Sequence, residues 1–207
     1  QMKDLPHVAI APCGDAAVEE GVFHESLNWA IIKKLPVVFV CENNLYSTST
    51  HLRDRQPAVD IYRRIAPLGI PSRQVDGNDV FAVYKATKDG LERAKKGGHP
   101  TLIECFTYRL DDHTTSDDAS RYRLKEDVEE WRKKEPLIRL RLYMEKNGLW
   151  TKPYEDSVTN NAVQKIDKAI SEAESFGPPE PADMLKYTYK TLIPRQIKEI
   201  KGSGWQS

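Results

Sequence analysis

The order in which short apolar runs and amphipathic stretches follow one another constrains this chain most. Runs at residues 7–13, 37–41, 72–75 and 101–108 read as strands. Three of them are continuously apolar, as strands covered on both faces tend to be. Between the runs the period changes. Residues 22–34 put Phe23, Leu27, Ala30 and Ile31 on one face, with Lys33 and Lys34 near the end. Residues 80–96 repeat this with Val83, Ala86, Thr87, Leu91 and Ala94, and stop at Gly97-Gly98. Strands that alternate with helices need crossover connections. The expected class is therefore α/β, a doubly wound and mainly parallel sheet.

Past Tyr108 the pattern is lost. Residues 109–123 are polar, rich in Asp, Ser and Thr, and without period, which predicts a long exposed loop. Helices are expected over 125–147 and 160–175, broken by Gly148 and by Pro178-Pro179. Gly202 to Ser207 reads as a flexible end. The division that follows is an α/β domain over 1–150 and a helical C-terminal extension over 151–207, without internal repeats. The 207 residues, 39% of them hydrophobic, suffice for one domain and a tail. With 31 basic and 31 acidic residues the formal charge is zero, which argues against nucleic acid as a partner. No apolar run reaches the roughly 18 to 20 residues of a spanning helix, so no membrane partner is expected. Cys13, Cys41 and Cys105 are an odd number in apolar runs, and read as reduced, buried thiols of an intracellular protein. Gln1 lies just before a strand-like run, so the chain is expected to start inside a larger protein. The expected location is the cytoplasm, or the mitochondrial matrix in a eukaryote.

Gly14-Asp15-Ala16-Ala17 follows the first strand and is expected to open the first long helix. Ligands of open α/β sheets bind outside the carboxyl ends of the strands. Small residues at that turn let amides approach a phosphate, and a helix N-terminus favours an anion. Asp15 would repel a bare phosphate and makes sense only with a cation between them. The second strand ends in Glu42-Asn43-Asn44, and one crossover returns the chain to the same edge. The oxygens of Asp15 and Asn44 suit a six-coordinate Mg²⁺ that keeps part of its shell for a diphosphate. Singly, an Asp after a strand is usually a helix cap and Asn-Asn a turn. At the ends of successive strands, 29 positions apart, the two become specific.

Gly14-Asp15-Ala16 followed by Glu42-Asn43-Asn44 resembles the thiamine diphosphate motif, a Gly-Asp-Gly closed by Asn-Asn after just under thirty residues. The intervening segment is similar to the alpha subunits of pyruvate and branched-chain 2-oxo acid dehydrogenases. The resemblance extends from about Val8 to at least Trp150 and implies the thiamine diphosphate-binding fold. By position, it makes Asp15 and Asn44 ligands of Mg²⁺, with the backbone carbonyl of Tyr46. It makes Gly14, Ala16 and Ala17 the turn whose amides face the diphosphate. Ala16 departs from the motif's third Gly, and would clash if that position needed φ > 0.

The polar loop carries a second signature. Tyr108-Arg109, then His113-Thr114-Thr115-Ser116-Asp117-Asp118, then Tyr122-Arg123 resembles the active-site loop of the same family. The resemblance implies that His113 reaches the diphosphate and positions the acyl intermediate, work suited to a side chain that exchanges a proton near neutral pH. Arg109, Asp117, Tyr122 and Arg123 are expected to hold the loop by charge-assisted hydrogen bonds. Thr114 stands where animal enzymes carry a regulatory phosphorylated serine, so kinase control is not expected. His24 and Glu25 should pack or face a subunit, and Trp29, Trp131 and Trp150 should be core or interface anchors.

The family's catalytic glutamate lies on a beta subunit. The resemblance therefore implies an assembly of two alpha and two beta chains, a lipoyl-bearing acyltransferase as acceptor, and a separate N-terminal segment. The competing readings are a non-catalytic cofactor-binding or structural relative, and a transketolase-like enzyme. The Ser-Asp-Asp of the loop is similar to branched-chain enzymes, whereas Glu42-Asn43-Asn44 is similar to pyruvate enzymes.

Overall fold

Four strands form one parallel sheet in the order β1-β2-β6-β5: β1 Ala9–Gly14, β2 Val37–Asn43, β5 Ser72–Asp76 and β6 Thr101–Phe106. The computed structural model describes residues 7–57, 60–97, 99–180 and 182–202. Helix α1 (Gly21–Ile32) connects β1 to its neighbour β2. A two-stranded hairpin, β3 (Tyr46–Ser47) and β4 (Thr50–His51), then precedes α2 (Leu52–Arg55) and α3 (Ile61–Ile65). This connection carries the chain to the far edge at β5. Helix α4 (Val80–Lys95) brings it back to β6, between β2 and β5.

Alternation along the strands feeds two cores, as expected for helices on both sheet faces. Phe39, Cys41 and Leu102 pack with Phe23, Leu27 and Ala30 of α1 and with Ile61 and Ile65 of α3. Val38, Ile103 and Cys105 face the other way and pack with Ala86 of α4. Each fully buried Leu or Ile here contributes about 1.5–3 kcal/mol of transfer free energy. The doubly wound arrangement follows from this division.

The expectation of full cover fails at β1. It is an edge strand in the described chain, and Ile10 is 50% exposed, whereas β6 is buried over Thr101–Cys105. All three cysteines are free; Cys41 and Cys105 are buried and Cys13 is half-buried. Cys13 and Cys41 are register partners. The hydrogen bond between them lowers the Cys13 pKa and raises that of Cys41.

The helix expected over 125–147 is two helices, α5 (Lys125–Arg132) and α6 (Pro136–Lys146). Pro136 disfavours helical backbone at Glu135, which instead caps the new helix by accepting from the Ile138 amide at 2.7 Å. Arg139 of α6 pairs with Asp76 at 2.8 Å, at the end of β5. There Gly77 is obligatory, because a Cβ would stand 2.9 Å from the Phe106 carbonyl oxygen.

The chain divides into two compact units, Gln1–Leu149 and Trp150–Ser207. The second contains α7 (Lys152–Ser175), α8 (Asp183–Lys186) and α9 (Pro194–Gly202). Helix α7 begins eight residues before the expected 160, with Thr151 as its cap. Gly202 closes α9, and the rest of the expected flexible end, 203–207, lies outside the described residues, as does Gly98. No helix among the described residues is long and apolar enough to cross a membrane.

Candidate functional site

Strands β1 and β2 run side by side with Gly14 opposite Glu42. Asp15 and Asn44 therefore leave the sheet together, at the carboxyl ends of its strands. Asp15 is 1% exposed and makes no side-chain cap bond, so the ordinary role of an Asp after a strand is not the one seen. Its Oδ2 instead accepts from Arg55, and Arg55 also pairs with Glu19. Gln56 donates to Glu19 at 2.7 Å and to the Asp15 carbonyl at 3.4 Å. Arg55 reaches the Thr50 carbonyl at 3.2 Å, which fastens the Asp15 turn to the hairpin that follows Asn44.

The turn itself corrects one expectation. Ala16–Glu19 is a single 3-10 turn, and the long helix α1 starts only at Gly21, after an extended Glu20. The amides of Ala16 and Ala17 thus belong to a separate short turn, and the dipole of α1 does not begin there. Asp15 has φ −61° and ψ −32°, and Ala16 is not among the positive-φ residues, so its methyl is accommodated without strain. A Cβ on Gly14 would meet nothing within 4 Å, which leaves open space over the turn.

On the second strand, Asn44 Oδ1 accepts from the Tyr46 amide at 3.1 Å. The Tyr46 carbonyl accepts from Arg109 at 3.5 Å. Of the three expected ligand groups, the Asp15 carboxylate and the Tyr46 carbonyl each face a guanidinium. Carboxylate, amide and carbonyl oxygens that gather positive charge form a donor set suited to a hard divalent cation. The residues present therefore fit Mg²⁺. Among the described residues, no three His, Cys, Asp or Glu side chains could hold a metal together, so a cation at this edge needs the amide and backbone oxygens too.

The loop joins the same region through Arg109. That side chain also donates to the Thr48 carbonyl and to the Tyr122 hydroxyl, and lies 3.4 Å from His113 Nδ1. His113 is exposed, and its amide donates to Asp117 at 2.9 Å. The Tyr122 hydroxyl donates to the same carboxylate. Those bonds, the Tyr122 hydroxyl first, hold the Asp117 pKa below the ordinary value. Burial, then Asp117, pushes the Tyr122 pKa up. Arg123 donates to the carbonyls of Arg109, Leu110 and Asp111 and stacks over Tyr108, whose pKa burial raises to about 12. The four residues expected to hold the loop all do so.

The remaining expectations divide. Trp131 stacks on Tyr108 at 5.4 Å, as an anchor should, whereas Trp29 is 59% exposed under Lys33. His24 is exposed beside Phe23. His51 caps α2, and burial lowers its pKa. Sequence reasoning missed Arg55, Glu19 and Gln56, which carry no local signature. It also missed Glu104, although a lone carboxylate in the apolar run of β6 signals a buried partner.

The sequence matches the dehydrogenase E1 component family over residues 1–182. Among similar proteins are the pyruvate dehydrogenase E1 component alpha subunits of Acholeplasma laidlawii, Staphylococcus aureus and Bacillus subtilis. The first is 39% identical over 188 residues, 90% of this chain and 54% of that protein. The other two are 39% identical over 193 residues, 93% of this chain and 52% of theirs. The chain thus spans about half the length of the curated relatives it matches.

Proposed function

The chain belongs to the dehydrogenase E1 component family, and on that premise we propose that it forms the cofactor-binding part of an alpha subunit of a 2-oxo acid dehydrogenase. The substrate is pyruvate or a branched-chain 2-oxo acid, and the acyl group passes to a lipoyl-bearing acyltransferase. The observation that carries this reading is the meeting of Asp15, Asn44 and Tyr46 at one sheet edge, with the His113 loop tied to Tyr46 by Arg109.

Thiamine diphosphate, when bound, supplies the carbanion chemistry that removes carbon dioxide from a 2-oxo acid. Asp15, Asn44 and the Tyr46 carbonyl would hold the Mg²⁺, which would offset the charge of the diphosphate. Gly14, Ala16 and Ala17 keep the turn small, and the first amides of a 3-10 turn have no partner within it, so they are available to phosphate oxygens. Arg55 holds one oxygen of Asp15 and so limits the carboxylate's rotation. His113 Nε2 holds and delivers a proton next to the reacting group, while Nδ1 faces Arg109. A beta subunit completes the site in an assembly of two alpha and two beta chains.

Calorimetric titration of thiamine diphosphate into the assembled protein, with Mg²⁺ and with chelator, tests the reading. Mg²⁺-dependent binding is expected, followed by turnover of one of several 2-oxo acids with a lipoyl acceptor. Binding unaffected by chelator would reject it.

A further inference from the structure

Asn43, the first residue of the Asn-Asn pair, is fully buried and is not the residue assigned to the cation. Every polar group of its side chain and its carbonyl is engaged. Its Nδ2 donates to Glu104 Oε1 at 2.7 Å, its Oδ1 accepts from the Leu45 amide at 3.2 Å, and its carbonyl accepts from Thr107 at 2.8 Å. Glu104 lies in the central strand β6, also fully buried, and its second oxygen accepts from the Tyr62 amide of α3 at 2.9 Å. No basic side chain donates to it in these bonds. A carboxylate removed from water in this way is costly unless its hydrogen bonds are made well.

The strain that these bonds support lies one step further on. Leu45 has φ 73°, the left-handed region that L-residues rarely occupy. Its amide is held by Asn43, and its carbonyl accepts from Leu52 at 2.7 Å. Leu45 lies between Asn44 and Tyr46, so its conformation sets how the amide oxygen of one and the carbonyl of the other are presented. Fixing Asn43 therefore fixes both.

We propose that Glu104 is a positioning residue for the cation site: through Asn43 it holds the Asn44–Leu45–Tyr46 turn in the geometry that directs both oxygens to one cation. The inference rests on the proposed function and deepens it. Glu104 meets two donors, one on each oxygen, and only a carboxylate accepts at both. In Glu104→Gln, an amide oxygen turned to Tyr62 leaves its NH₂ against the NH₂ of Asn43. Asn43 could invert to accept it, but its own NH₂ would then face the Leu45 amide. Either way the conflict reaches the turn. Asn43→Asp sets two buried carboxylates together. The combination of Asn43→Asp with Glu104→Gln reverses the donor and acceptor of one bond and satisfies every group, at unchanged charge.

The experiment measures, in the assembled protein, the Mg²⁺ concentration at half-maximal thiamine diphosphate binding by calorimetry, with thermal unfolding recorded in parallel. Each single variant should raise that midpoint about 10- to 100-fold, the range typical of partners that orient a metal ligand. The reversed pair should return it to within about threefold of wild type, little more than the scatter of uncoupled changes. If a single variant does not fold, the reversed pair alone decides. A folded reversed pair with wild-type affinity supports the proposal, and one with lost affinity overturns it. A folded Glu104→Gln protein with lowered Tm and an unchanged midpoint also overturns it, because that is how a merely structural carboxylate behaves. Wild-type protein without Mg²⁺-dependent binding rejects the cofactor reading and this inference together, which distinguishes that failure from the others.

Discussion

The two halves of the candidate site are held by different means. Asp15 and Asn44 each follow the last residue of a parallel strand, so strand register brings their backbone to one edge, and Tyr46 opens the hairpin two residues on. The loop over 107–124 has one 3-10 turn, Ala119–Arg121, and otherwise depends on side chains that grip backbone. Arg123 is 9% exposed and donates to three successive carbonyls, while Arg109 ties the loop to Tyr46, Thr48 and Tyr122. Bonds to a charged donor contribute about 1.5–3 kcal/mol each. A sheet edge should therefore lose ligand affinity on substitution and keep its shape, whereas the loop should lose its shape.

The strongest test of the edge is to remove its oxygens. Asp15→Ala or Asn44→Ala should abolish Mg²⁺-dependent thiamine diphosphate binding in calorimetry, with circular dichroism unchanged. Unchanged affinity in both would break the assignment. His113→Ala should act on the other half. Turnover should fall about 100- to 10,000-fold, the usual cost of losing a positioned proton donor, with little change in cofactor affinity. Turnover close to wild type would return His113 to the role of a solvent-facing residue.

Arg123→Met sharpens the comparison. It keeps much of the apolar volume against Tyr108 but leaves the carbonyls of Arg109, Leu110 and Asp111 without their donor. Cleavage within the loop by a limiting amount of protease should speed up at least about tenfold, the equivalent of 1.4 kcal/mol. The edge should continue to bind Mg²⁺, and a parallel loss of cation affinity would show that the halves are one unit.

The same contrast explains what was legible in the sequence. Apolar runs and a 3.6-residue period mark β1, β2, β6, α1 and α4, because burial on a sheet imposes those patterns. The hairpin at Tyr46–His51 and the short helices α2 and α3 went unread, since elements of two to five residues have no period to detect. With them went Arg55, whose hold on Asp15 exists only after the chain has folded back. The start of α7 was legible in principle, from Thr151 and Pro153 as cap and first turn. In the loop, the motif named the gripping residues, but the carbonyls they grip could come only from the structure.

The smallest expected effect is a pH dependence confined to the loop. Asp117 is half-buried, and hydrogen bonds from the Tyr122 hydroxyl and the His113 amide hold its pKa below the ordinary carboxylate value. A carboxylate lowered in this way stabilises the closed loop above its unfolded pKa. That contribution is lost as pH falls through the lowered value. Tyr122 acts in the opposite direction: its raised pKa means that its contribution is lost as pH rises past the ordinary tyrosine value. Loop cleavage should therefore be flat between roughly pH 5 and 9 and rise on either side. Asp117→Asn separates charge from shape, because one amide oxygen can still accept from both donors. It should flatten the acid limb, read with an acid protease, while the loop stays closed at neutral pH. Solvent screening keeps the effect modest. An acid limb identical in Asp117→Asn would mean that acid opens the loop elsewhere, and the contrast between a loop held by charge and an edge held by register would then lose its titratable part.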